Sequence, residues 1–473
     1  MREIVIGLDY FNLDENSQST WCEKGCPVII FVSYDTYDQL ESKITRFASD
    51  ISADISAPVY VELFALGDKP KNLRKKIIDL NNQRNVQGVI LFDAPILLTS
   101  FVAPGGGTEL GAYDSCYTDL IYDYNFIRTS KGYICKFNNL KSGSTTSVHM
   151  WYSRLLPPGE NKIEQLSDYL DRNHAYRTGA LDFNRGSLVY SDQEFVLGSD
   201  NPHSLLLYFG GKDTLYTDSQ IKVIQTTSNN QNKNAYLNEL KKSYELVIVN
   251  QHGCPTGHFY DIKADEIKST KPDALGYLFY SCSVGAFQED DYLAGRYLFS
   301  GNGLVAIAHS TPVLTSVGAD GPVRGVEDVT SYKLLNLLNH GANFGEAWLF
   351  SYGAISGSLL GDPTIRLREK RFVTIELSQS KVQLDSIGII TEVTIFNHGS
   401  KDVKIMAHPF TLNHPYDTDL VELEAETPGI IPQGLSDNIK LAIEAKNGNF
   451  DGRLPLIFVG DEGYSIKFLE ISG

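Results

Sequence analysis

A cysteine stands between two serines in LFYSCSVGAF (278–287), and a histidine precedes a glycine in NQHG (250–253). Thiol and imidazole together have a definite chemistry. A free thiol has a pKa of about 8.5, so only a few per cent is thiolate at neutral pH. A neighbouring imidazole takes the proton, releases a strong nucleophile, and later protonates a leaving amine. Acyl transfer of this kind also needs N–H donors for the oxyanion, and the backbone amides of Gly253 and Cys282 are the candidates. A glycine after the histidine permits a tight turn and a close approach of the substrate carbonyl. Ser281, Ser283, Gly285 and Ala286 leave room around the sulfur. Cys254 and His258 lie close by, and spacing alone leaves them open as alternatives.

The elements that would position this pair read as parallel strands. ELVIVN (245–250) runs straight into the His-Gly step, and LGYLFYS (275–281) runs straight into Cys282. Ligands of an open, mostly parallel sheet bind outside the carboxyl ends of its strands. Cys282 and His252 are 30 residues apart, the length of one strand–helix–strand crossover. SLVYS (187–191) and GLVAIAH (303–309) supply further strands. NAYLNELKKS (234–243), DYLAGRYLF (291–299) and SYKLLNLLNHG (331–341) supply helices.

The first part of the chain alternates in the same way. IVIG (4–7), VIIFVS (28–33), PVYVELFA (58–65) and VQGVILFD (86–93) are strand-like, with helices over 35–51 and 69–83. The alternation predicts parallel pairing with crossover helices. APGGGTELGAYDS (103–115) lacks the strand-to-helix setting of a phosphate cradle and reads as a flexible loop. After Arg371 only short strand patterns remain, and NHGS (397–400) between two of them reads as a hairpin turn. The expected fold is therefore α/β, with an N-terminal subdomain (1–180), a catalytic subdomain (181–370) and a C-terminal β-sandwich (371–473).

Bulk properties narrow the partners. With 473 residues the chain exceeds one ordinary core. A formal net charge of -17 opposes phosphate backbones and anionic lipid, so neither nucleic acid nor membrane is expected as a partner. No apolar stretch approaches the roughly 20 residues that span a bilayer. The opening MREIVIGLDYFN does not read as a secretory signal, so a cytoplasmic location is expected, or a secreted one if the chain is a trimmed form. Six cysteines, at 22, 26, 116, 135, 254 and 282, are too sparse for a disulfide scaffold and read as free thiols apart from Cys282.

NQHG, LFYSCSVGAF, GLVAIAHST (303–311), GPVRG (321–325) and LLGDPTIRL (359–367) together resemble the gingipain family of caspase-like cysteine peptidases. SCYTDLIYDY (115–124) and MWYSRLLPPGENKIEQLSDYL (150–170) resemble that family's N-terminal subdomain. The resemblance implies a caspase-like doubly wound sheet followed by an immunoglobulin-like domain. It implies a peptidase with Cys282 as nucleophile, His252 as general base and acid, and the amides of Gly253 and Cys282 as oxyanion hole. An acidic residue orients the histidine in this family. SDQEF (191–195) offers Glu194, with Asp192 as its alternative. Asp200 stands where arginine-cutting members carry a pocket acid, so a basic residue at the cut is expected. PVLTSV (312–317) lacks the aromatic pocket residue that follows the Ser-Thr turn in the family.

No cofactor is required for this chemistry. Relatives use Ca²⁺ structurally, and the acidic QEDDY (288–292) and DLIYDYN (119–125) offer oxygen ligands, although such runs commonly form a solvated face. The expected partners are a protein or peptide substrate and a regulatory protein. Two other classes stand beside the enzyme: a catalytically silent caspase-like scaffold that binds proteins, and a surface-binding protein whose β-sandwich does the work.

Overall fold

A computed structural model describes residues 3–6, 25–102, 108–119, 122–140, 150–196, 201–212, 214–227, 232–258, 262–312, 317–318, 321–322, 334–352 and 357–369. Beyond these it describes 375–377, 381–383, 389–397, 403–405, 413–414, 418–419, 421–426, 436–445, 452–460 and 463–472.

Eleven strands form one central sheet: β1 (Glu3–Ile6), β2 (Val28–Ser33), β3 (Val59–Phe64), β4 (Gly88–Leu91), β5 (Trp151–Arg154), β6 (Ser187–Asp192), β7 (Ile221–Thr226), β8 (Tyr244–Asn250), β9 (Ala274–Tyr280), β10 (Val305–His309) and β11 (Gly357–Gly361). Their spatial order is β1-β3-β2-β4-β5-β11-β10-β9-β8-β6-β7. Strand β1 pairs antiparallel with β3, and β11 pairs antiparallel with β10. The ladders joining β2 to β3 and β4, β4 to β5, and β10 through β9, β8 and β6 to β7 are parallel. Both α/β halves of the chain thus contribute to one mixed, mostly parallel sheet.

The inner strands are apolar without alternation because helices cover both faces, whereas edge strand β7 alternates in burial. Every residue of β2, β9 and β10 is buried. Helix α1 (Tyr34–Ile55) begins where Ser33 ends β2, and the Ser33 hydroxyl accepts the Thr36 amide at 3.2 Å. Its Leu40, Ile44, Phe47 and Ile51 are buried on one stripe, as their spacing predicts. Helix α2 (Pro70–Arg84) starts on a proline, which needs no N–H partner there. Helix α3 (Lys162–Arg177) follows β5, and its Asn173 and Arg177 side chains converge on buried Asp362. Gly276 in β9 has no room for a side chain: a Cβ would lie 3.0 Å from Leu246 and 3.2 Å from the Phe344 ring. No described helix is long and apolar enough to cross a membrane.

Three readings of the sequence change. The glycine-rich stretch expected as a loop is partly a hairpin: Thr108–Ala112 pairs antiparallel with Leu97–Val102, while 103–107 lie outside the described residues. That hairpin belongs to a second, four-stranded sheet with Tyr122–Arg128 and Tyr133–Leu140. The helix expected over 234–243 spans Lys233–Glu239, because the Leu240 carbonyl accepts the Asp273 amide instead of continuing the helix. NHGS does not join hairpin partners: Ile389–Asn397 pairs with Ser436–Ala445, and Val403–Ile405 with Gly452–Gly460 in a different sheet. The C-terminal part is otherwise all β, with two four-stranded sheets and no helix among its described residues.

Candidate active site

The register of two neighbouring strands decides what meets at the sheet edge. In the parallel ladder of β8 and β9, Asn250 is level with Tyr280. Two residues further on, the chain reaches His252 from one strand and Cys282 from the other. The backbones remain in contact there. A Cβ on Gly253 would lie 2.8 Å from the Cys282 carbonyl oxygen, 2.7 Å from Val284 Cγ1 and 3.1 Å from Ser281 Cβ. Residue 253 must be glycine for the histidine turn to lie this close to the cysteine turn. The two amides expected as oxyanion donors therefore belong to touching segments.

Each turn is anchored. Gln251, fully buried, donates from Nε2 to the hydroxyl of Thr226, the last residue of β7, at 2.9 Å. This fixes the path on which the next side chain is presented. On the other turn, Ser283 adopts φ +56°, a left-handed conformation that costs a non-glycine residue on the order of 1 kcal/mol or more. The Ser283 amide donates to the Thr311 carbonyl at 3.1 Å, and the Gly285 amide to the His309 carbonyl at 2.8 Å. The end of β10 thus holds the cysteine turn. Cys282 itself is half-buried and forms no disulfide.

The His252 imidazole is one-third exposed. Its Nε2 lies 3.2 Å from Glu194 Oε2, and its ring packs 4.9 Å from the Phe195 ring. Both partners come from the 3₁₀ turn Gln193–Val196 that follows β6. Asp192, the alternative to Glu194, is buried and shapes that turn: its Oδ1 accepts the Glu194 amide at 2.9 Å. The carboxylate against the imidazole is that of Glu194, 63% exposed to solvent, so the pair is weak.

The rival pair sits differently. After the turn the chain forms a small ladder, with Gly253 opposite His258 and Cys254 opposite Gly257. His258 points into the core, 4% exposed, between Phe279 and Tyr297. Burial pushes its pKa down to about 3, which keeps the ring neutral. Cys254 is half-buried on the same ladder. Asp200 and Cys22 lie outside the described residues.

Several carboxylates of the two acidic segments named for Ca²⁺ have protein partners. Asp291 pairs with Arg296, Glu289 with Lys131 at 2.6 Å, and Asp119 accepts the Tyr124 hydroxyl at 2.6 Å. Among the described residues no three His, Cys, Asp or Glu side chains gather into a cation cradle. Sequence reasoning missed Gln251 and Phe195, the two side chains that hold the His252 turn. A buried glutamine directly after an apolar strand was the available signal for the first.

No family model and no curated protein matches the chain. Its chain path is similar to that of the Arg-specific cysteine proteinase gingipain R, at TM-score 0.47 and 14% identity over 94% of this chain and 98% of that one. It is similar to the pro- and mature-domain complex of RgpB from Porphyromonas gingivalis, at TM-score 0.47 and 13% identity over 94% and 100%. A third solved protease gives TM-score 0.45 and 11% identity over 94% and 97%. At this level the likenesses say nothing of the chemistry, which rests on the site alone.

Proposed function

We propose that the chain is a cysteine endopeptidase that cuts peptide bonds through Cys282 and His252. The observation that supports this best is the β8–β9 register, which pairs Asn250 with Tyr280 two residues before His252 and Cys282, together with the close approach of Gly253 to the Cys282 carbonyl. Glu194 supports it by taking Nε2 of the imidazole. A proton held on Nε2 leaves the Nδ1 lone pair to accept the thiol proton.

The steps balance. The Cys282 thiol gives its proton to His252, and Sγ adds to the peptide carbonyl carbon. The oxyanion is received by the amides of Gly253 and Cys282. The C–N bond breaks as His252 returns the proton to the departing amine, leaving a thioester on Cys282. Water then attacks the thioester, His252 accepts its proton, and the carboxylic acid leaves as the thiol is restored. No metal or cofactor supplies any step, and Ca²⁺ would serve structure alone. A basic residue at the cut fits Asp200 and the negative net charge. The C-terminal sheets are read as an immunoglobulin-like sandwich.

Cys282→Ala should abolish both peptide hydrolysis and labelling by an electrophilic peptide probe. Iodoacetamide at neutral pH should alkylate Cys282 far faster than the other five thiols. Unchanged turnover in the alanine variant sinks the assignment.

A further inference from the structure

His252 stands beyond the last rung of its strand. The ladders that β8 makes with β6 and with β9 both end at Asn250, level with Ser191 on one side and Tyr280 on the other. One residue further on, a side chain takes over from the backbone. Gln251 Nε2 donates at 2.9 Å to the Thr226 hydroxyl, on a strand that β8 does not touch, since β6 lies between β8 and edge strand β7. The Thr226 hydroxyl donates in turn to the Ser191 carbonyl at 3.4 Å. Both side chains are fully buried. The bond therefore crosses the end of β6, the strand that leads into Glu194 and Phe195, two neighbours of the His252 ring.

Packing does not call for an amide at this place. Gln251 Oε1 is buried without a hydrogen-bond partner, and so are Asp192 Oδ2 and Ser281 Oγ at the ends of the two flanking strands. A buried polar atom left unpaired costs folding free energy that an apolar side chain of the same length would avoid. The Thr226 hydroxyl is the one polar partner of the Gln251 side chain among the described residues, so it sets the direction of the amide. Thr226 is held level with Asp192 by the β6–β7 ladder, and Asp192 Oδ1 accepts the Glu194 amide at 2.9 Å. The histidine turn and the turn that faces its ring are thus both tied to the same end of β6.

We propose that Gln251 and Thr226 are positioning residues for the reaction of Cys282 and His252. Their hydrogen bond straps the histidine turn across the end of β6 and holds the imidazole in the direction from which it takes the thiol proton. Being fully buried, neither side chain meets substrate, and both act through the ring. A displacement of about 1 Å at a reacting group costs on the order of 10²-fold in rate, so a strap one residue away has leverage on the chemical step and none on substrate binding. The chemistry rests on the peptidase reading, whereas the strap rests on geometry.

The test compares the full chain with Thr226→Val, Gln251→Met, both together, and Thr226→Ser, each measured far below its thermal midpoint. Thr226→Val and Gln251→Met remove the two bonding groups with little change of shape. Each should lower kcat for peptide hydrolysis about tenfold or more with KM within about twofold, and the pair should cost no more than the worse single change, because the same bond is lost in every case. Thr226→Ser keeps the hydroxyl and should stay within about threefold of the unmutated chain. At neutral pH, iodoacetamide should alkylate Cys282 about fivefold more slowly or worse in Thr226→Val, since a thiol without its base is mostly protonated. A merely loosened turn would expose the thiol and quicken alkylation, which overturns the positioning role. Full kcat in Thr226→Val, a Thr226→Ser as damaged as Thr226→Val, or losses that add in the double variant overturn it equally. A Cys282 no more reactive than the other thiols of the unmutated chain would refute the dyad and the strap's role with it. A fast Cys282 without hydrolysis would refute the peptidase reading alone, and the alkylation rates would still decide the strap.

Discussion

The Glu194 carboxylate against the His252 imidazole is mostly in water. An exposed ion pair is worth about 0.2–1 kcal/mol, a factor of about five at most. Glu194→Gln should therefore lower kcat/KM by no more than about fivefold, whereas His252→Ala should cost about 10²–10⁴-fold because it removes the proton carrier. Steady-state kinetics on one peptide substrate checks both. A loss for Glu194→Gln as large as that for His252→Ala would mean the carboxylate does more than orient. Gly253→Ala is expected to be as damaging as losing the histidine, since its methyl would overlap the Cys282 carbonyl and Val284. At this scale the sequence was informative about which side chains carry reactive groups. It could not rank Cys254 against Cys282, or His258 against His252, because one residue of strand register separates a side chain at the rim from one in the core.

Among the elements, the ladder formed by 253–254, 257–258 and 262–263 draws His258 inward beside the reactive turn. Its depressed pKa has a consequence for stability. The unfolded chain binds a proton at His258 below about pH 6.5, while the folded chain refuses it until about pH 3. Stability from this group is therefore fully present above pH 6.5 and falls as the pH drops from there toward 3, by up to a few kcal/mol. His258→Phe should flatten the dependence of the thermal midpoint on pH between 6.5 and 4, and an unchanged slope would place the acid sensitivity elsewhere. The major strands were legible because buried parallel strands are continuous apolar runs. The four-stranded sheet over 97–140 was not, because its strands mix Thr, Asn, Lys and Asp with apolar residues and its glycines read as a loop. The partners of the strands around NHGS were equally hidden, since a turn signal fixes a reversal of chain but not the sheet that receives it.

Across the whole molecule, buried polar contacts tie the parts together. Arg154 and Asp114, both fully buried, join the central sheet to the segment leading out of the four-stranded one, and Arg154 also donates to the Ala94 carbonyl at 2.7 Å. Arg154→Met leaves the Asp114 charge buried and alone, so a loss of about 3–5 kcal/mol is expected, read as a large fall in the thermal midpoint. At the other end Tyr464, in the last strand Gly463–Ser472, donates to Glu346 of the helix Phe344–Tyr352 at 3.0 Å. Tyr464→Phe should cost about 1–3 kcal/mol and loosen the C-terminal part first, which limited proteolysis can follow. None of these couplings has a signature in composition or periodicity. Each depends on residues brought together across more than 35 positions of chain.

The strand Thr108–Ala112 touches two neighbours that matter to the thiol. Its Ala112 amide and Leu110 carbonyl bind the Gln288 side chain, and its Ala112 carbonyl receives the Ser310 hydroxyl, next to the Thr311 carbonyl that pins Ser283. One short ribbon thus braces the segment after the nucleophile and the buttress of the nucleophile at once. Cutting one of its ties with Gln288→Ala should therefore speed deuterium uptake at the Ser283 and Gly285 amides.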